Sequence, residues 1–326
     1  MPISGSLVYA KYDWEANYGV ETAWANPKVF GLGVEVERAT TNNMTKLNSI
    51  GAKNTEAVAS GKWAGTLTVS GTLSNPWWNK MFFGTPVDAG AAPTTHTYTE
   101  AVGDAAPPVT FSTGIGYDLT AGGAGADMNI ACLGCACTSA TLEATQGEPA
   151  KLTLNVDYID EARDAVLGVA AADTGYGAPF IFAHGTVNVG GALVGVQRVS
   201  FEINQNLEHM YALSSREGQA VYGKKREYNF SIDIATEDET WVEHQYGQAA
   251  SPLMTDNVPA AGNISLTFTN GLAGANLRSV VYTLTNLYVN EDNHAIRPDD
   301  LLADSITGYA LGLTSVVASD NTAVAL

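Results

Sequence analysis

One order of parts occurs twice in this chain, and that repeat constrains the fold more than any other feature. The first copy runs from Val34 to Gly84 and the second from Val196 to Gly247. Each is a short alternating stretch, a long polar loop, a second alternating stretch, and an aromatic segment ending in glycine. Asn42 and Asn43 open the first loop and Gly61-Lys62 close it; Asn204 and Asn206 open the second and Gly223-Lys224 close it. The copies lie 162 residues apart at the closing glycines (223 minus 61). They lie 163 apart at the tryptophans (241 minus 78) and the terminal glycines (247 minus 84), so a single-residue slip aligns the whole unit.

Each part has a physical meaning. Thr66-Leu67-Thr68-Val69 alternates polar and apolar, and Tyr228 to Ile234 does so more cleanly, the period-two pattern of a strand with one buried face. The aromatic segments are punctuated as helices. Asn75-Pro76 supplies an N-cap and a first-turn proline, with Gly84 as the stop. In the second copy Thr236 and Glu239 have capping-box spacing and Gly247 is the stop. Trp78 with Phe82, and Val242 with Tyr246, fall one turn apart, so each helix can lay an apolar stripe on a sheet.

Further strands are expected at Thr138 to Thr145, Lys151 to Tyr158, Asn263 to Thr269, Val280 to Leu284 and Gly308 to Thr314. Asp88 to Pro107, rich in Ala, Pro and Thr, reads as an exposed loop. Asp160 to Ala178 reads as the connection between halves, with a helical turn near Glu161 to Asp164. A content of 33 glycines with only 15% charged residues suits many strands and turns. The expected fold is β-rich (α+β): two tandem β-sandwich or split-barrel domains, residues 1–165 and 166–326, each with one short helix.

Catalytic patterns are poorly represented. His96, His184, His209, His244 and His294 share no ligand or triad spacing, and there is no phosphate loop or nucleophile elbow. Ala121 to Gly125 is glycine-rich but is not followed by a helix pattern, so it reads as a flexible turn. Cys132, Cys135 and Cys137 resemble half of a metal site without a fourth ligand; the plainer reading is small buried strand or turn residues in a reducing compartment. No catalytic, cofactor or metal residue is assigned. Met1 to Lys11 lacks the pattern of a signal peptide, and no apolar run approaches the ~20 residues of a membrane helix, so no membrane partner is expected.

The net charge is −18, from 34 acidic and 16 basic residues. That offers no cationic footprint for tight nucleic-acid binding. It is either a solubilising surface or an acidic channel that DNA passes without sticking. Acids recur at the polar positions of the expected strands: Glu35, Glu37, Glu143, Asp157, Glu202 and Asp233. Their apolar neighbours face the core, so these acids face away from it, toward plain solvent or toward a lumen.

Four motifs carry a family resemblance: Ala16-Asn17-Tyr18-Gly19, Gly61-Lys62-Trp63-Ala64-Gly65-Thr66-Leu67, Ser139 to Ala144 before the Gly147 to Pro149 turn, and Phe201 to Leu207. With the repeat and its long polar loops, the chain resembles the major tail tube proteins of siphoviruses that have a duplicated tube domain. The resemblance implies a structural virion protein, not an enzyme, that assembles into β-lined rings stacked as the conduit for DNA ejection. It implies a homotrimeric ring with pseudo-sixfold symmetry, or a hexamer if one domain alone lines the lumen. Tape measure and tail terminator or tip proteins are the implied partners. The implied location is the virion tail, after host cytoplasm before assembly. The loops at Arg38 to Ser60 and Asn204 to Tyr222 exceed ordinary hairpin connections and are expected to dock on the next ring, through Asn42, Asn43, Leu47, Ile50, Asn204, Asn206, Leu207 and Tyr211. Two other readings stay open. One is a β-sandwich adhesin or carbohydrate-binding module using Trp63, Trp77 and Trp78; the other is the inner tube of a contractile injection or secretion system.

Overall fold

The computed structural model describes residues 8–25, 27–48, 50, 54–90, 93–100, 108–117, 128–163, 167, 179–189, 193, 195–235, 262–295 and 303–320. The chain opens with β1 (Val8–Trp14), β2 (Lys28–Val29), β3 (Leu32–Thr41), β4 (Thr45–Leu47), β5 (Ala57–Ala59) and β6 (Ala64–Thr72). A 3-10 turn (Trp77–Asn79) runs into the one described α-helix, α1 (Lys80–Phe83). There follow β7 (Val87–Ala89), β8 (Thr94–Tyr98), β9 (Thr110–Tyr117), β10 (Met128–Thr145), β11 (Lys151–Tyr158) and β12 (Asp160–Arg163). The second half holds β13 (Thr186–Val189), β14 (Val196–Asn204), β15 (Glu208–Tyr211), β16 (Gly218–Tyr222) and β17 (Glu227–Ala235). It ends with β18 (Ile264–Thr269), β19 (Ser279–Ala295) and β20 (Ala303–Asp320). The β-rich expectation holds.

Alternation does what the sequence pattern requires. β11 buries Leu152, Leu154, Val156 and Tyr158, and β17 buries Tyr228, Phe230, Ile232 and Ile234, with polar residues between them on the other face. Sixteen strands join one antiparallel sheet, whose main path is β13-β18-β19-β20-β17-β14-β10-β11-β6-β3. Within it the order β3-β6-β11-β10 recurs as β14-β17-β20-β19.

The recurrence extends to register. β3 and β6 pair Glu35 with Ser70 and Thr41 with Ala64; β14 and β17 pair Arg198 with Asp233 and Asn204 with Glu227, each residue 163 further on (204 minus 41, 227 minus 64). Gly65 faces Tyr158 and Thr72 faces Lys151, while Tyr228 faces Ala310 and Ala235 faces Ala303, so β20 runs 152 after β11 (303 minus 151). Even the irregularity recurs: register shifts between Cys137 and Ser139 on β10 and between Val289 and Glu291 on β19, again 152 later (289 minus 137).

Several local expectations change. The shift is 163 on both sides of the closing glycine, so Gly61 corresponds to Lys224 rather than to Gly223. The two long loops each contain a small hairpin, β4–β5 and β15–β16, detached from the main sheet. Asp160–Arg163 is not a helical turn: as β12 it pairs with Ile130–Leu133 of β10, because a neighbouring strand with free hydrogen-bonding groups outweighs the helix preference of Glu, Ala and Arg. Part of the expected loop at Asp88 to Pro107 is strand, since β8 pairs with the end of β20. The expected second helix at Thr236 to Gly247 and the Ala121 to Gly125 turn lie outside the described residues.

The first helix keeps its punctuation but is short. Asn75 Oδ1 accepts the Trp77 N–H at 3.1 Å, and Gly84 ends the segment at φ 80°. Trp78, Met81 and Phe82 are buried, and the Trp78 and Phe82 rings meet edge to face at 5.8 Å. Phe201 on β14 lies 5.4 Å from Tyr282 near the start of β19, and Tyr282 Oη donates to Asn79 Oδ1 at 3.2 Å. The far end of the β19–β20 hairpin therefore turns back over the core face of the sheet. Each fully buried large side chain there contributes about 1.5–3 kcal/mol. The junction β10–β14, Ser139–Thr145 against Asn204–Arg198, carries the sheet across residue 165, and one apolar cluster draws on both halves.

Candidate assembly surface

All six acids named from the sequence stand on the sheet face opposite the core, each alternating with buried neighbours or paired beside them. Glu35 and Glu37 are exposed on β3. Glu143 accepts from Arg198 Nε at 2.7 Å across the β10–β14 junction, and Arg198 Nη1 lies 3.7 Å from Asp233. Glu202 accepts from Asn229 Nδ2 at 3.1 Å. Asp157 differs from the rest, because hairpin β15–β16 crosses above it and sets His209 Nε2 3.4 Å from its carboxylate. Arg198 was missed in the sequence, although its place beside Val199 in an alternating run marks the same face.

Several strands are paired on one side only among the described residues, and two of these edges stand at the ends of the repeated order. β3 pairs with β6 on one side only. β19 pairs with β18 over residues 279–284 and the Leu287 N–H donates to Gly262 O at 2.9 Å, while from Tyr288 to Ala295 its one strand partner among the described residues is β20. Unpaired edges of this kind invite another strand.

The two small hairpins leave the sheet through equivalent corners, one after β3 and one after β14. Asn43 and Asn206 take φ of 44° and 48°, a left-handed conformation that asparagine tolerates. Asn43 Nδ2 donates to Lys62 O and Asn206 Nδ2 to Lys225 O, both at 2.9 Å and 163 residues apart (225 minus 62). The Asn206 N–H donates to Asn204 Oδ1 at 2.9 Å. Asn43, Asn204 and Asn206 thus shape the corners, and Leu207 is half-buried beside them. Ile50 and Leu213, equivalent at the tips, are 107% and 98% exposed, and Leu47 is exposed on β4.

Hairpin β15–β16 is tied down onto the first unit. Arg216 Nε donates to Gly61 O at 2.9 Å and its Nη2 to Asn42 Oδ1 at 2.8 Å, while the Trp63 N–H donates to Arg216 O at 2.9 Å. Lys62 Nζ sits 4.4 Å over the Tyr211 ring. The Ala16 to Gly19 motif joins the same corner through Glu15, which accepts from the N–H groups of Gly134 and Gly19 and from Ser112 Oγ. Burial pushes the Glu15 carboxyl up, and those three donors oppose the shift.

The cysteines are packing residues. All three are buried free thiols on β10; burial pushes Cys132 up to about 12 and Cys135 and Cys137 well above the ordinary thiol value. In the second unit the positions 152 later are Leu284, Leu287 and Val289. Among the described residues no three metal-ligating side chains come together, and no helix is long and apolar enough to cross a membrane. Trp77 and Trp78 are core residues and Trp63 is half-buried against Tyr158, 5.4 Å between rings, so these tryptophans do not form a sugar-stacking platform.

The family model described as phage tail tube protein matches residues 5–310. No curated protein matches the chain. A strand-rich sheet with open edges, a polar face and paired projecting hairpins is consistent with that match, which spans nearly the whole sequence: the chain belongs to the phage tail tube protein family, a structural component of the virion tail.

Proposed function

We propose that this chain is the major tail tube subunit of a siphovirus-type tail, self-assembling into stacked rings through which DNA is ejected. The carrying observation is the repeated strand order, with β3 open at one end of it and the far half of β19 at the other. Within the chain, Ser139 to Thr145 of β10 pair with Asn204 to Arg198 of β14. Moving that junction by the two internal shifts sets Glu291 of one chain opposite Thr41 of the next, and Ala295 opposite Glu37. The seam between chains then repeats the seam within a chain, these two edges are covered, and the repeated strands close into a ring. Two tandem tube domains, residues 1–165 and 166–326, make three chains equivalent to six units.

On this reading Glu35, Glu37, Glu143, Glu202 and Asp233, with Asp157 adding its charge from beneath hairpin β15–β16, give the bore an acidic wall that repels phosphate, so DNA slides without binding. The tip residues Ile50 and Leu213 meet the next ring, and Asn42, Asn43, Leu47, Asn204, Asn206, Leu207 and Tyr211 belong to the hairpins and corners that carry them. Such a head-to-tail contact continues as a filament. Tape measure and terminator or tip proteins fit inside and at the ends of such a tube, which assembles in the host cytoplasm. Negative-stain microscopy of concentrated protein is the test: hollow tubes with a regular ring repeat are expected, and a monodisperse monomer at every concentration overturns the proposal. Deleting only the tip of the first hairpin, residues 48–54, should leave rings that no longer stack.

A further inference from the structure

The two units differ in what lies over them. In the first, Ile159 is 6% exposed: Gly218 of hairpin β15–β16 approaches so closely that an added Cβ would stand 2.6 Å from its Cγ2, and Gly19 closes the other side. Beside it, Asp157 lies under His209, which in turn is 3.2 Å from Tyr18 Oη. In the second unit the equivalent of Ile159 is Leu311 (311 minus 159 is 152), and it is 62% exposed. The equivalent of Asp157 is Tyr309, 46% exposed and stacked on Tyr288 at 5.9 Å. An aromatic and a leucine thus sit bare on an otherwise polar face, where burying them would contribute about 1.5–3 kcal/mol each.

The first unit has the opposite mismatch. Hairpin β4–β5 is exposed along both strands, including Leu47 and Val58. A lone two-stranded hairpin is marginally stable in water and needs a surface to pack on. Its counterpart β15–β16 finds that surface on the unit across the β10–β14 junction.

We propose that hairpin β4–β5 of one chain lies across β19 and β20 of a second copy and covers Tyr309 and Leu311. The inference rests on the ring reading above and names the lateral seat that reading leaves open. It also assigns the body of the hairpin to the neighbour within a ring, leaving only its tip for the next ring. The internal shift sets Lys46 where His209 stands (209 minus 46 is 163), so the Lys46 ammonium comes over the Tyr309 ring in place of the His209–Asp157 contact. Thr55 takes the place of Gly218, above Leu311.

Paired substitutions Lys46→Cys and Tyr309→Cys test the seat in the full-length protein, because the native cysteines are buried. Mild oxidation of assembled material should give disulfide-linked multimers on a non-reducing gel. The control pair Lys46→Cys and Asp157→Cys should stay monomeric, since that seat is already covered by the chain's own hairpin. Leu311→Asp, at an exposed position, should leave the melting of the monomer unchanged and raise the concentration needed for assembly about tenfold or more. Tubes that form without the Lys46→Cys/Tyr309→Cys crosslink, or Leu311→Asp tubes that form at the wild-type concentration, overturn the seat and leave the ring reading standing. A wild-type chain that never assembles removes both.

Discussion

The two four-strand units share a frame and share almost none of the charge placed on it. The corner asparagines, the bulge on the long strand and the left-handed residue before it, Gly134 in one unit and Asn286 in the other, coincide residue for residue. None of the six acids coincides. Glu35 and Glu37 correspond to Arg198 and Ser200, Glu143 to Ala295, Asp157 to Tyr309, Glu202 to Ala39 and Asp233 to Ser70. Backbone geometry is set by position, because a bulge or a left-handed residue is local and exacting. A polar face needs only its sum, so acids can be scattered over it.

Core volume behaves in a third way, and one facing pair keeps a large and a small partner but exchanges which strand carries which. Gly65 faces Tyr158 in the first unit, and Tyr228 faces Ala310 in the second. An added Cβ on Gly65 would stand 2.2 Å from the Tyr158 ring, whereas on Gly308 it would stand 2.1 Å from the backbone oxygen of Tyr288. Gly65→Ala and Gly308→Ala should each lose about 3 kcal/mol by chemical denaturation. In a Tyr158→Ala background, Gly65→Ala should cost at least about 1 kcal/mol less than alone. Gly308→Ala should find no such rescue from Phe230→Ala, because its obstacle is main chain. Equal rescue at both sites would show that the pairs are not packed as described.

The corners should respond alike. Asn43→Ala and Asn206→Ala each remove a side-chain bond and place alanine in a left-handed conformation, and each should cost about 1–2 kcal/mol in the same assay. A loss at one corner and none at the other would break the equivalence of the hairpins.

The cysteine positions sharpen the comparison from the apolar side. Cys137→Val copies the second unit and should stay within about 1.5 kcal/mol of the parent. The folded chain should not react with a thiol reagent near pH 8, while unfolding should release all three thiols. Because the fold holds these protons and the unfolded chain ionises above the ordinary value of 9.0, stability should fall as pH rises past that value. Fast labelling of the native chain would place a thiol at the surface and end the packing argument.

Much of this frame was legible in the sequence, and its limits have physical causes. Period-two alternation gave the strands and the outward acids, since facing is a local property. Strand order was not legible, because β10 meets β14 through pairing between residues 139 and 204 that no local pattern records. Tyr309 and Leu311 were missed for a related reason: Ala310-Leu311-Gly312-Leu313 is apolar throughout, so alternation cannot tell its covered side from its bare one.

The smallest expected effect bears on the seam itself. Arg198 bridges Glu143 and Asp233 at the internal junction, yet it is 42% exposed, so Arg198→Ala should cost under about 1 kcal/mol, and less in high salt. At the proposed seam between chains the corresponding residues are Glu35 and Ala295, which cannot form that bridge. If the measured cost is small, the main-chain ladder and the core hold the internal junction, and the same ladder can hold a seam between chains that lacks the ion pair. A cost above about 2 kcal/mol would mean that the bridge is essential inside the chain, and the internal junction would then be a poor template for ring closure.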